Sequence, residues 1–244
     1  MSIAQKLKTV AENQQKVYAA GYARGQKAGN YGEGYEAGQQ AEYDRFWDAL
    51  QDNGNRTDYF AAFVFWDDET FKPKYDIIPS GTAMYMFAKS QITNLVTCIE
   101  NAGIVFDTSK SPHVGYLFND ASSLVEAPII DATSSSSVDR LFNGCVSLKK
   151  AGVIFPENKI TAFANAFARC GNLEDFTAYG VIDIPLSFAN SSKLTTASVQ
   201  SIIDHLADLT GKTAQTLTLH ATVGGKLTDA QKASITAKNW TLVY

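Results

Sequence analysis

Three cysteines are the residues of this chain whose chemistry could be nucleophilic, redox-active or metal-binding. They are Cys98, Cys145 and Cys170, and Cys145 stands ahead of two lysines. Their spacings match no zinc ligand set, and the three histidines are scattered along the chain, so no recurring base accompanies a thiol. The alternative is that these thiols are small apolar residues that fill gaps in a core. A cytosolic origin favours free thiols over a disulfide.

A run of acidic residues, WDDE at 66–69, is the second candidate for chemistry. Paired carboxylates can perform acid–base catalysis or bind calcium. A calcium loop needs oxygen ligands at alternating positions and a glycine turn, and this run has neither. We therefore interpret it as a turn or a helix N-terminus. The sequence predicts no catalytic, cofactor-binding or metal-binding residue, and no enzymatic activity.

Composition limits the classes of partner. The chain has 244 residues, a formal net charge of −4 and 45% hydrophobic residues. The negative charge argues against binding to nucleic acid or to an anionic membrane surface. No stretch approaches the roughly 20 apolar residues that a membrane span requires. The first 15 residues lack the apolar core of a signal peptide, so we expect synthesis in a reducing cytoplasm.

A repeated pattern determines where two of the cysteines lie. A phenylalanine is followed after three residues by a small residue and after six by a leucine; copies begin at Phe118, Phe142, Phe167 and Phe188, with a shortened copy at Phe87. The intervals of 31, 24, 25 and 21 residues are typical of a leucine-rich solenoid. Cys145 and Cys170 occupy the small position, which Ala121 and Ser191 fill in other copies. The pattern therefore predicts buried thiols.

The repeat also predicts a narrow parallel sheet. The phenylalanines and leucines should stack on their counterparts in the next turn, and the segment after each leucine should form a short strand. Charged residues at the outward positions place lysines beside acids, which is a favourable cross-strand pairing. These residues are either a solvated ladder that fixes the register or a surface that contacts a ligand; they are Glu126, Lys149, Lys150, Glu174 and Asp175.

The N-terminal residues 1–50 follow a different pattern. Apolar residues at 3–4 spacing predict a short coiled coil, and glycines that recur every four residues predict either close helix packing or a flexible linker. We expect this segment to be a helical stalk that assembles a homo-oligomer, a trimer. The predicted contact residues are Ile3, Leu7, Val10, Val17, Gly21, Gly25 and Gly29.

Two further segments should cover the ends of the repeats at 81–197. Residues 51–80 are rich in aromatic side chains and are predicted to cover the first turn. Residues 198–244 read as helix, strand, helix and strand, and should cover the last turn. Ser198 is placed to cap the first of these helices and Gly211 to end it, and Thr228 begins a capping box for the second.

The Phe-x-x-Cys-x-x-Leu repeats resemble the BspA-like leucine-rich repeats of bacterial surface proteins. The Gly/Tyr stalk, the segments AEYDRFWDALQDNGNRTDY and FKPKYDIIPSGTAMYMF, and the ending LTDAQKASITAKNW are similar to leucine-rich-repeat proteins of phages and prophages of gut Firmicutes. The expected fold class is thus α+β, a leucine-rich-repeat solenoid with an N-terminal helical, coiled-coil-like stalk and a C-terminal α/β cap.

This resemblance implies a virion structural protein. It would be a tail-fibre or receptor-binding component that docks on other virion proteins through its N-terminal helix and binds a host-surface protein or glycan. The alternatives are an architectural head or baseplate decoration protein and a bacterial cell-surface adhesin. A cell-surface protein needs an export signal, so the N-terminal sequence favours the virion as the location.

Overall fold

The computed structural model describes residues 63, 66–69 and 71–244. The helices within this part of the chain are α1 (Leu95–Ala102), α2 (Thr196–His205), α3 (Ala221–Gly224) and α4 (Asp229–Ala237). The strands are β1 (Glu126–Asp131), β2 (Lys150–Phe155), β3 (Asp175–Gly180), β4 (Leu186–Phe188), β5 (Gln215–Leu219) and β6 (Trp240–Val243). All of these elements are short, so their stability must come from tertiary packing.

Two parallel sheets organise these elements. β1, β2 and β3 pair in that order, and β4, β5 and β6 form a second sheet in the same manner. In the first sheet one row of partners joins Ile130, Val153 and Ala178, which are all buried. Parallel strands require a crossover connection, and each crossover in the first sheet carries one of the repeated phenylalanines. In each of these repeats the phenylalanine therefore lies in the connection before a strand, and the residues after the leucine form the strand itself.

The expected fold class, an α+β leucine-rich-repeat solenoid with a stalk and a C-terminal cap, is wrong. The described residues form a mixed α/β structure with two small parallel sheets of three strands and four helices, not an evident solenoid. A leucine-rich-repeat solenoid would add a strand to the same sheet with every repeat. The first sheet takes strands from three repeats alone, and β5 and β6 belong to no repeat.

Contacts at its two edges limit the first sheet to three strands. Before β1, Asn94 makes a single bridge to the sheet and then caps helix α1. After β3, the amide of Phe176 donates to Ser198 Oγ at 2.8 Å. The amide of Ala178 donates to Ser201 Oγ at 3.0 Å. These hydroxyls of α2 satisfy amides at the sheet edge, so the helix takes the place of a fourth strand.

The stacking predicted for the repeated phenylalanines is confirmed. Ring centroids lie 5.5 Å apart for Phe87 and Phe118, 5.3 Å for Phe118 and Phe142, 5.9 Å for Phe142 and Phe167, and 4.6 Å for Phe167 and Phe188. Neighbouring planes differ by no more than 24°. All five rings are buried. We call this column of rings the phenylalanine stack; it supplies the central contact of the core.

The backbone around the stack adopts a repeated conformation that the sequence pattern did not predict. Around four of the five stacked phenylalanines, the residues two before and two after the ring have φ between 49° and 80°; these pairs are Tyr85 and Lys89, Tyr116 and Asp120, Arg140 and Gly144, and Asn165 and Arg169. For residues other than glycine this conformation costs about 1–2 kcal/mol each. Backbone hydrogen bonds between successive repeats hold this conformation in place. The amide of Phe118 donates to Leu141 O at 3.0 Å, and the amide of Phe142 donates to Ala166 O at 2.8 Å.

Gly144 is required at its position for two reasons. Its φ of 80° favours glycine, and a Cβ there would overlap Asp120 Oδ1 and lie 2.7 Å from Arg169 Nη2. These two groups form an ion pair that spans the turn carrying Gly144. The glycine thus leaves room for a contact between the turn before it and the turn after it.

Aromatic residues cover the first ring of the stack. Phe63 stacks on Phe87 with centroids 5.0 Å apart, and Phe71 meets the same ring edge-on at 5.4 Å. Phe63 and Phe71 therefore lie against the first ring, and the assignment of 51–80 as a cap stays a prediction. The rest of that segment lies outside the described residues, as does the whole predicted stalk with its oligomerisation residues Ile3, Leu7, Val10, Val17, Gly21, Gly25 and Gly29.

The C-terminal part contains the four predicted elements and one more, the short helix α3. The capping box at the start of α4 is confirmed. The bounds predicted for α2 are wrong: Thr195 caps the helix by accepting a hydrogen bond from Ser198 N, and Leu206 follows its last residue. Because Thr195 performs this role, the hydroxyl of Ser198 is available to the edge of β3.

Replacement of a central ring tests the phenylalanine stack. Phe142→Ala should lower the free energy of unfolding by about 3–5 kcal/mol, because it removes a fully buried ring and leaves a cavity between two others. Phe163→Ala is the matched control, since that ring is half-buried beside the core and lies outside the stack. Denaturant titration followed by circular dichroism measures both. Equal losses for the two variants would contradict the special role of the stack.

Replacement of a turn glycine tests the spacing between turns. Gly144→Ala and Gly211→Ala both place a side chain at a similar positive φ, of 80° and 76°. Nothing lies within 4 Å of a Cβ at Gly211, so that variant should lose only the conformational cost, about 1–2 kcal/mol. Gly144→Ala should lose clearly more, because the methyl group also displaces the Asp120–Arg169 pair. Comparable thermal shifts for the two variants would refute this explanation.

Candidate functional site

The two repeat cysteines are part of the core. Cys145 and Cys170 are completely buried, and all three cysteines of the chain are free. Cys145 Sγ donates to Phe118 O and Cys170 Sγ to Phe142 O, each at 3.1 Å. Their interpretation as buried small residues is confirmed. The structure adds a role as donors, because each thiol bonds the carbonyl of a stacked phenylalanine in the preceding turn.

The environment of the thiols opposes nucleophilic chemistry. Burial raises the pKa of Cys170 to about 12, and it raises the pKa of Cys145 well above its ordinary value, with a further contribution from Cys170. Burial and the neighbouring carboxylate of Asp68 raise the pKa of Cys98 to about 11. Reactive cysteines have a lowered pKa, because the thiolate is the nucleophile. The geometry therefore gives these residues a structural role.

Three of the predicted ligand-surface residues form one row across the first sheet. Glu126, Lys150 and Asp175 are register partners on β1, β2 and β3, and we call them the charged row. Lys150 Nζ lies 2.8 Å from Glu126 Oε1, and this hydrogen bond is the main cause of the raised pKa of Lys150. Thr195 Oγ1 donates to Asp175 at 3.4 Å. The groups thus have partners within the fold, as the register-fixing interpretation expects.

The other two predicted residues lie one position earlier. Lys149 N donates to Val125 O at 2.8 Å, and Glu174 N donates to Lys149 O at 3.0 Å, so their backbones continue the ladder between turns. The side chain of Lys149 is exposed, and Glu174 is half-buried. The structure brings these residues next to the charged row. Their role in binding a ligand stays a prediction.

A second row of side chains follows the stack on another side, and the sequence analysis did not identify it. It consists of Tyr85, Tyr116, Arg140 and Asn165, which all stand two residues before a stacked phenylalanine, and we call it the tyrosine–arginine row. The rings of Tyr85 and Tyr116 stack with centroids 4.8 Å apart. The guanidinium of Arg140 lies 5.4 Å from the ring of Tyr116, a cation–π contact. The recurrence of Tyr-x-Phe in the first two copies is the signal that could have revealed it.

The outer face of the first sheet also exposes apolar side chains. Ile129 is 50% exposed on β1, and Tyr179 is 39% exposed on β3. Gly152 is the register partner of Ile129 on β2, and its missing side chain leaves room for Ile129. Single exposed apolar residues are normal on protein surfaces, so this face does not by itself indicate a ligand.

An open cleft of about 570 Å³ lies beside the C-terminal end of α2. Four carboxylates line it, from Glu157, Asp183, Asp204 and Asp208. Asp183 accepts a hydrogen bond from Asn158 N at 2.8 Å, and Asp208 accepts one from Thr210 N at 2.9 Å. Within the described residues no group of three or more side chains could hold a metal ion.

The acidic run at 66–69 forms a turn, as predicted, in which Asp68 accepts hydrogen bonds from Thr93.

The described part of the chain contains no helix that is both long and apolar enough to cross a membrane. Comparison with protein-family models, with curated proteins and with solved structures gave no match. The functional interpretation therefore depends on the geometry and on the sequence features themselves.

Alkylation by iodoacetamide tests the assignment of the thiols. Cys98 should react slowly in the folded protein, and its rate should rise about tenfold per pH unit from pH 8 to 10, because its raised pKa keeps the thiolate a minor species below pH 11. Cys145 and Cys170 should stay unmodified until the protein unfolds. Mass spectrometry of the peptides gives the rates, and the protein in guanidinium chloride is the control. Modification of Cys145 in the folded protein at pH 7 would contradict a structural role.

Proposed function

We propose that the chain is a non-enzymatic structural protein of a phage virion, a tail-fibre or receptor-binding component. In this proposal the N-terminal segment assembles the homo-oligomer and docks on other virion proteins, and the described part binds the host surface. Both ideas first arise from the sequence repeats and from the resemblance of the flanking segments to phage proteins.

The observation that carries the proposal is the arrangement of side chains in rows along the phenylalanine stack. The charged row and the tyrosine–arginine row each display one side chain per turn, on backbones that adjacent turns fix by hydrogen bonds. The backbone beneath such a surface is held by hydrogen bonds, so a ligand binds it without the entropic cost of ordering loops. These properties suit adhesion to a large, repetitive surface.

The structural contacts of the buried thiols and of the Asp120–Arg169 ion pair support the same proposal. The thiols at the centre of the repeats donate to backbone carbonyls and have raised pKa values. The ion pair of Asp120 with Arg169 spans an intervening turn. These groups hold the turns together, which is what a binding scaffold requires of them.

Adsorption measurements test this function. The labelled full-length protein should bind host cells of the gut Firmicutes and should reduce phage adsorption in proportion to its concentration, because it competes for the same receptor. Antibodies against residues 81–244 should label the tail of intact particles in electron micrographs. An unrelated acidic protein of similar mass is the control. Labelling of the head, or binding to particles but not to cells, would overturn the proposal in favour of an architectural role.

A further inference from the structure

The tyrosine–arginine row offers hydrogen-bonding groups in a line on the surface. Tyr85 and Tyr116 are half-buried, and Arg140 and Asn165 are exposed. Burial raises the pKa of both phenols, and a hydrogen bond with Asp139 raises the pKa of Tyr116 further, so both hydroxyls stay protonated. The guanidinium donates, while phenols and the amide both donate and accept. Hydroxyl groups of a ligand, which also donate and accept, match this mixture.

Two members of the row, Arg140 and Asn165, keep hydrogen-bonding capacity within the described part of the chain. Arg140 Nη1 donates to Tyr116 OH at 3.4 Å, and the described residues provide Arg140 with no carboxylate at ion-pair distance. The side-chain amide of Asn165 has no hydrogen-bond partner in the described part of the chain. The charged row differs, because its lysine and its acids already bond with neighbours. The tyrosine–arginine row is therefore the better prepared of the two for an external ligand.

The spacing of the row selects among extended ligands. Neighbouring groups lie 4.8 Å and 5.4 Å apart, since they follow the stacking of the turns. An extended glycan presents one sugar ring at an interval close to this spacing. An extended peptide presents side chains on one face at intervals of about 6.6 Å, so it would lose register after two turns. Nucleic acid needs several cations along its phosphates, and this row contains one.

We propose that the tyrosine–arginine row binds a neutral glycan chain of the host surface, which lies along the stack with one sugar ring per turn. This inference rests on the proposed function, because it assigns a ligand class to the host-binding role. The phenol hydroxyls and the guanidinium would form hydrogen bonds with the sugar hydroxyls. The phenylalanine stack beneath would keep these groups at the spacing of the sugar rings.

Titration calorimetry on the full-length protein tests the inference. The probes are hexamers of β-1,4-linked N-acetylglucosamine, cellohexaose and maltohexaose, together with neutral wall polysaccharide purified from the host. Tyr116→Phe combined with Arg140→Ala should weaken binding about tenfold or more, because it removes two hydrogen-bonding groups and keeps the stacked ring. Tyr244→Phe combined with Lys232→Ala is the matched control, because it alters another cation–π pair, in the C-terminal part and outside both rows; it should leave the affinity unchanged. Thermal unfolding shows that both variants fold.

The outcomes separate this inference from the function on which it rests. Loss of glycan binding in the first double variant, with retention in the control, supports it. If the intact protein binds host cells and the first double variant binds them equally well, the inference is wrong and the proposed function stands. Loss of cell binding after protease treatment of the cells would point to a protein receptor and would also overturn it. If the intact protein binds neither cells nor particles, the proposed function itself fails.

Discussion

Contact between the phenylalanine rings of successive turns is the interaction on which the rest of the described structure depends. Five rings, from Phe87 to Phe188, form one buried column, and the strands of the first sheet lie beside it. A single turn buries little apolar surface alone, so its ring is stable only against the rings on either side. Rows of surface residues are in register because the rings beneath them are.

Hydrogen bonds make this stacking specific. Apolar rings could slide past one another, but hydrogen bonds from amides and thiols to carbonyls fix the position of each turn relative to its neighbours. The thiols of Cys145 and Cys170 bond carbonyls that also accept a backbone amide within the same turn. A serine at the same repeat position, Ser191, likewise donates to the preceding turn, to Cys170 O. A small donor at this position therefore serves both the packing and the register.

The sequence predicted the features that depend on periodic apolar residues. The stacking, the buried thiols, the three strands and the register of Lys150 with Asp175 all follow from the spacing of phenylalanine and leucine. The fold class was not predictable in the same way, because it depends on where the ladder of strands stops. The hydroxyls of Ser198 and Ser201 stop it, and serines in a helix carry no periodic signal.

The tyrosine–arginine row illustrates a different limit. Its residues share a position but not a chemical type, so a search for apolar repetition passes over them. What they share is the positive φ that the turn imposes, which the side chains do not reveal. The partner of Lys150 is a related case. The sequence placed acids on both neighbouring strands, and only the coordinates show that the hydrogen bond is made to Glu126.

The ion pair that passes over Gly144 has a consequence for how such a chain can change in length during evolution. Repeats are readily gained and lost by unequal recombination when each one contacts its immediate neighbours alone. Here Asp120 and Arg169 belong to turns that are not adjacent. The turn between them must carry a glycine, Gly144, where the ion pair passes over it. Insertion or removal of one copy at this place would separate the two charges or bury a side chain between them. We therefore expect gain or loss of a repeat to be tolerated better outside this stretch than within it.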